Sequence, residues 1–212
     1  MNAASATPVT GRREARRIDR RDAMLAIAAE SFLRDGYAAT TMSAIAAAIG
    51  GSKATLWSYF PSKEALFEAV LDRQTAAYRM RLTTLLDPSG DLEPGLRGFC
   101  LSFIERIVSP EAIALHRLAH AEASRFPELG AIFYDRAPRT VQGMLASFIA
   151  SMMERDRLRK ADPARAARTL MTLCLSGCHQ QVMLGQLAQP SKAQLAEDAD
   201  YAADIFLRAY AP

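Results

Sequence analysis

The sequence predicts an all-α protein: an N-terminal three-helix domain with a helix-turn-helix, followed by a larger C-terminal helical bundle. Two observations carry this. Apolar residues recur at alternating spacings of three and four from Met24 onward, the repeat of one helix face. Between these runs stand short punctuation marks such as Gly50-Gly51, Pro61-Ser62, Asp87-Pro88-Ser89-Gly90 and Asp162-Pro163, and no run alternates with the period of a strand. The chain has 212 residues, half of them hydrophobic, enough for one small and one medium helical domain.

Charge and cysteine content bound the rest. Net charge is only +3, so basic character is local. Six arginines (12, 13, 16, 17, 20 and 21) stand against Glu14 and Asp19. They read either as a solvated arm or as an arm touching phosphates or a minor groove. No apolar run reaches the roughly 18–20 residues of a membrane span, and the N-terminus lacks an apolar signal core. Cys100, Cys174 and Cys178 are odd in number and lie in apolar helical patterns, which suits reduced thiols. The expected location is cytoplasmic, with no membrane partner.

In order, residues 1–11 are small and polar and are expected to be disordered. The first helix is expected from about Arg20 to Asp35, with Met24, Ile27, Ala28, Ser31 and Phe32 as its buried face and Gly36 ending it. Thr41 should cap the second helix, where Ile45 and Ile49 lie one turn apart among small alanines. Gly50 and Gly51 give a sharp turn. Ser52 should cap a third, short helix with Leu56 facing inward, and Ser62 a fourth, with Glu64 at its positive end.

A short second helix with an apolar anchor and small polar groups outward suits a DNA major groove. The run Gly50, Ser52-Lys53-Ala54-Thr55-Leu56-Trp57, then Tyr59-Phe60-Pro61-Ser62-Lys63-Glu64-Ala65-Leu66-Phe67, resembles the DNA-binding signature of TetR-family (tetracycline-repressor-like) transcription regulators. It departs from that signature at Gly51, usually a branched apolar residue, and at Trp57, usually Tyr. The resemblance implies a homodimer on a palindromic double-stranded operator and release by a small-molecule effector. Thr41, Trp57, Tyr59 and Lys63 are candidates for phosphates. Ser52, Lys53, Ala54 and Thr55 are candidates for base edges or nearby backbone, and Ser43 completes the DNA-binding set. The expected domains are a basic arm over 1–17, the DNA-binding domain over 18–78, and a ligand-binding and dimerisation domain over 79–212.

Beyond the breaker at 87–91, Pro94 opens a helix to Ile107, and Ser109-Pro110-Glu111 starts another to about Arg125. Pro127-Glu128 starts the next, which Pro138 should kink or split before the pattern resumes at Val141. Asp162-Pro163 opens a long helix to about Leu187, interrupted only by Gly177 and Gly185. Ser191 caps the last. The segment Leu118–Gly185 is also similar to the ligand-sensing domain of one TetR subgroup.

Candidate pocket residues are Phe99, Phe103, Phe133, Phe148, Met152 and Met171 as apolar wall, with His116, His120 and Tyr134 as polar groups. The inward faces carry few charges, so an apolar or aromatic ligand with one or two hydrogen-bonding groups is expected. The dimer seam is expected through Gly177, Gly185, Leu195, Ala199, Ala202, Phe206 and Ala209. His116 and His120 are four apart, but no third metal ligand has a usual spacing, so no metal or other cofactor is expected. No Ser, His and acidic set forms a triad and no phosphate-cradling glycine loop occurs, so no catalytic role is expected. The alternative is a helix-turn-helix protein without a small ligand, controlled by a protein partner.

Overall fold

The computed structural model describes residues 9–212, and all its regular elements among them are helical. It divides into two compact units, the first ending at Arg73 and the second running from Gln74 to Pro212. The first holds α1 (Val9–Ala39), α2 (Met42–Ala48), α3 (Lys53–Tyr59) and the start of α4 (Lys63–Leu85). Of the disorder expected over 1–11, residues 1–8 lie outside the described residues and 9–11 are instead in α1.

α1 begins earlier than the sequence pattern suggested, so the arginine-rich segment forms its first turns and does not precede it as an arm. Arginine is a good helix former, and two of these side chains find aromatic platforms. The Arg17 guanidinium lies 6.0 Å from the Tyr59 ring centroid and that of Arg21 lies 5.4 Å from Phe60. Gly36 breaks the helix, as expected, at φ 82°, a conformation that Cβ disfavours. Phe32, Tyr37 and Phe67 then meet as three rings with centroids 5.4–5.6 Å apart, fixing α1 on α4.

The second unit takes the later turns of α4 and adds α5 (Leu92–Ile107), α6 (Pro110–Glu122), α7 (Pro127–Tyr134), α8 (Thr140–Glu154), α9 (Pro163–Leu175), α10 (Cys178–Met183) and α11 (Lys192–Ala209). α5 is its axis and packs on α6, α9 and α11. Leu96, Phe99, Cys100 and Ile104 of α5 are wholly buried. Gly95 matters here, because a Cβ on it would fall 2.8 Å from the Phe148 ring of α8. Pro138 sits in a π-helical turn, Asp135–Arg139, between α7 and α8. The wider turn accommodates a residue without an N–H. Arg97 ties α5 to α11 through Asp200 at 3.0 Å and Asp204 at 2.6 Å.

The interruptions expected at Gly177 and Gly185 are present, since α9 stops at Leu175 and α10 runs only from Cys178 to Met183, but the expected dimer seam is corrected. Gly177 stands at the break because the Asp198 carboxylate of α11 occupies the space a Cβ would need. That carboxylate accepts from the Cys178 N–H at 2.8 Å, capping α10 from another helix. Gly177 is therefore a site of close approach inside the chain, and Gly185, at φ 73°, is a turn residue after α10. Nor do Ala199, Ala202 and Phe206 form an outward seam. They are at most 3% exposed and belong to the core of this one chain, with α11 lying along α5. Leu195 packs at the core's edge and Ala209 is exposed. A 3-4 apolar repeat marks a buried face without saying what buries it.

Candidate nucleic-acid interface

The helix-turn-helix is built by its caps. Thr41 accepts from the Ala44 N–H at 3.1 Å and starts α2. Ser52 accepts from the Thr55 N–H at 3.2 Å and starts α3. Both satisfy backbone donors that the first helical turn leaves open. Gly50 alone takes the left-handed conformation in the turn, at φ 69°. Gly51 does not, so only one of the two glycines is needed for backbone freedom.

Within α3 one side chain is fully buried. Leu56 is 1% exposed and is the helix's single buried residue. Ser52, Lys53, Ala54 and Trp57 are exposed, and Thr55 and Tyr59 are half-buried. Thr41 and Ser43 at the start of α2 are exposed too. Trp57 keeps 45% of its surface open, which is unusual for so large an apolar ring. The Ser52 and Thr55 hydroxyls lie 2.9 Å apart and bond each other, so they also order the start of the helix.

Lys63 is placed differently from its neighbours. Its ammonium donates to the Tyr37 carbonyl at 2.7 Å and the Thr40 carbonyl at 3.1 Å, and lies 4.1 Å from the Tyr37 ring centroid. The Tyr37 hydroxyl in turn donates to Glu64 at 3.1 Å. The Glu64 carboxyl is held below its ordinary range, first by its own backbone N–H and then by Ser62. Lys63 thus joins the start of α4 to the turn that presents Thr41. Lys63→Met is expected to lower the stability of the first unit by about 2 kcal/mol, the worth of charge-assisted bonds, and to weaken DNA binding with it. A melting curve and a salt series on bound DNA check this. A smaller salt slope at unchanged stability would put the ammonium on a phosphate instead.

These residues match known models. The family described as bacterial regulatory proteins, tetR family, matches residues 24–70. The AefR-like transcriptional repressor C-terminal domain matches residues 94–212. The chain belongs to the TetR family. The solved structure of the flavonoid-responsive regulator FrrA is 30% identical, with a TM-score of 0.78 over 92% of this chain and 98% of that one. A TetR-family regulator from Mesorhizobium loti MAFF303099 is 29% identical, with a TM-score of 0.79 over 92% of this chain and 98% of that one. The HTH-type regulator YhgD of Bacillus subtilis (strain 168) is 22% identical over 163 residues, 75% of this chain and 82% of that one. The family and these relatives are transcriptional regulators, not enzymes. Among the described residues, no helix is long and apolar enough to cross a membrane.

In the second unit of this TetR-family chain, the structure brings together only part of the expected pocket set. Phe99 and Phe103 stack at 5.4 Å. The His116 ring lies 5.1 Å from Phe133 and 6.4 Å from His120. Phe148 and Met152 are fully buried, and Met171 is half-buried. Tyr134 stands apart, 46% exposed under the Arg139 guanidinium. His120 is exposed, and its Nδ1 bonds the His116 carbonyl at 2.7 Å. Four polar residues that the sequence reading had not placed also lie inside: Tyr78, Ser102, Arg106 and His179. His179 sits 5.8 Å from His116, so all three histidines of the chain gather in one place. Burial, and then His179, push His116 down to about 4; burial also lowers His179. Both rings are neutral at pH 7. No group of three or more His, Cys, Asp and Glu among the described residues is set to hold a metal ion.

Proposed function

We propose that this chain is a dimeric repressor that holds a palindromic operator through α3 and is released by a small, largely apolar ligand bound in residues 74–212. The observation that carries the DNA half is α3 itself, a helix that buries only Leu56 and turns Lys53, Ala54 and Trp57 outward. Helix N-termini reach base edges, and polar side chains there can read them. The ligand half rests on the AefR-like match over 94–212 and on the similarity to FrrA, whose name makes it responsive to flavonoids. An aromatic effector suits an interior holding Phe99, Phe103 and Phe133. Dimerisation is assigned to side chains that α9, α10 and α11 leave outside, among them Leu175, Leu184 and Tyr201, each at least 36% exposed. The ligand shifts the equilibrium only by binding the released state more tightly.

Footprinting on the chain's own promoter region tests this. Two protected half-sites about 34–36 Å apart, or a multiple of a helical turn, are expected, and an aromatic effector should remove both together. Protection of one isolated half-site would overturn the dimer. Protection that no aromatic compound alters would overturn the effector class.

A further inference from the structure

Three polar atoms in the second unit are buried and have no hydrogen-bond partner: the Tyr78 hydroxyl, the Ser102 hydroxyl and His179 Nε2. Buried polar groups are nearly always paired, and each such orphan calls for an explanation. These three gather around Arg106 and His116. Tyr78 lies one turn beyond Gln74 on α4, and Ser102 one turn before Arg106 on α5. Arg106 bridges the two helices, donating to the Gln74 carbonyl at 3.2 Å. The same guanidinium is close enough to disfavour a proton on both Tyr78 and His116. His116 in turn packs against His179 and Phe133.

We infer that Tyr78, Ser102, His116 and His179 form a recognition site for an uncharged aromatic molecule bearing at least two hydroxyl groups. This rests on the ligand-released reading and names the chemistry that reading leaves open. Two hydroxyls and two imidazoles offer both donors and acceptors, which a phenolic hydroxyl uses as either. Phe133, whose ring lies 5.1 Å from that of His116, supplies apolar surface for the rings. A carboxylate is disfavoured. The imidazoles are neutral, and Arg106 already donates to Gln74 and, at 2.9 Å, to Ser109, with the charge of Glu111 facing it. A ligand carboxylate would be desolvated without a free cation to meet it.

Calorimetry on the full chain with 2,7-dihydroxynaphthalene and naphthalene-2-carboxylate tests the site. The diol should bind at least tenfold more tightly than the carboxylate. Tyr78→Phe and Ser102→Ala should each weaken the diol about five- to tenfold, the worth of one hydrogen bond. Each should leave the melting temperature of the unliganded chain unchanged or raised, because it removes an unpaired buried hydroxyl. Equal diol affinity in the variants, tighter carboxylate binding, or no heat from the diol would overturn the site. A gel shift separates the two readings. Diol binding that depends on Tyr78 and Ser102 but leaves DNA bound would overturn ligand release and keep the site. Release that neither substitution weakens would keep ligand release and overturn the site.

Discussion

Phe206→Ala should destabilise the second unit by about 3–5 kcal/mol, the cost of removing a buried ring and leaving a cavity. Phe206 is 0% exposed and stacks on Tyr210 with centroids 4.5 Å apart. Tyr210 carries the Arg159 guanidinium at 4.7 Å, and the Arg159 N–H donates to the Tyr210 carbonyl at 3.0 Å. Removing the Phe206 ring therefore loosens the last turn of α11 and the segment before α9 together. Domains of this kind have about 5–15 kcal/mol of stability in all, so the loss should show plainly in a urea unfolding curve. Analytical ultracentrifugation adds the contrast. If Phe206 met a second copy, alanine would give a monomer with an unchanged unfolding midpoint. An unchanged midpoint would therefore overturn its place in the core.

Leu56→Ala should remove DNA binding while leaving the second unit intact. α3 has seven residues, too few to hold a helix in water by itself. Its place depends on burying Leu56, and truncating a buried leucine costs about 2–5 kcal/mol. The Ser52 cap remains and Phe60, 2% exposed, still holds the C-terminal end, but within α3 itself no other side chain is buried. A gel shift on the promoter fragment should show loss of binding, and the unfolding of residues 74–212 should not move. Wild-type DNA affinity in this variant would mean that α3 is held by more than its one buried side chain.

The DNA-binding end was legible because its signals are local. A cap acts within three residues, a turn needs one glycine, and the spacing of Leu56 and Phe60 marks the inward face whatever lies behind it. Lys63 was harder, because its carbonyl partners lie 23 and 26 residues away. A surface lysine beside a recognition helix reads as a phosphate ligand until those carbonyls appear. The bundle hid more for the same reason. The face of Ala199, Ala202 and Phe206 was correctly read as buried, but periodicity does not tell a neighbouring helix from a neighbouring molecule. Gly177 stood out as a glycine, yet its reason is a carboxylate 21 residues on in α11. His179 had a faint signal as one of only three histidines. Tyr78 and Ser102 had none, since a tyrosine and a serine on apolar helices are ordinary until each proves to lack a partner.

The Asp198 carboxylate that caps α10 has a chemical consequence for the thiol beside it. Burial and that carboxylate push Cys178 up to about 12. The neighbouring Cys100 thiol, and burial, push Cys174 upward as well. Only a thiolate attacks an alkylating reagent, and at pH 7 a thiol of that kind is ionised on the order of once in 10⁵ molecules. All three sulfurs are also at most 7% exposed. Iodoacetamide should therefore find no thiol in the closed bundle and three once it opens, which makes the rate of labelling a clock for the opening of residues 74–212.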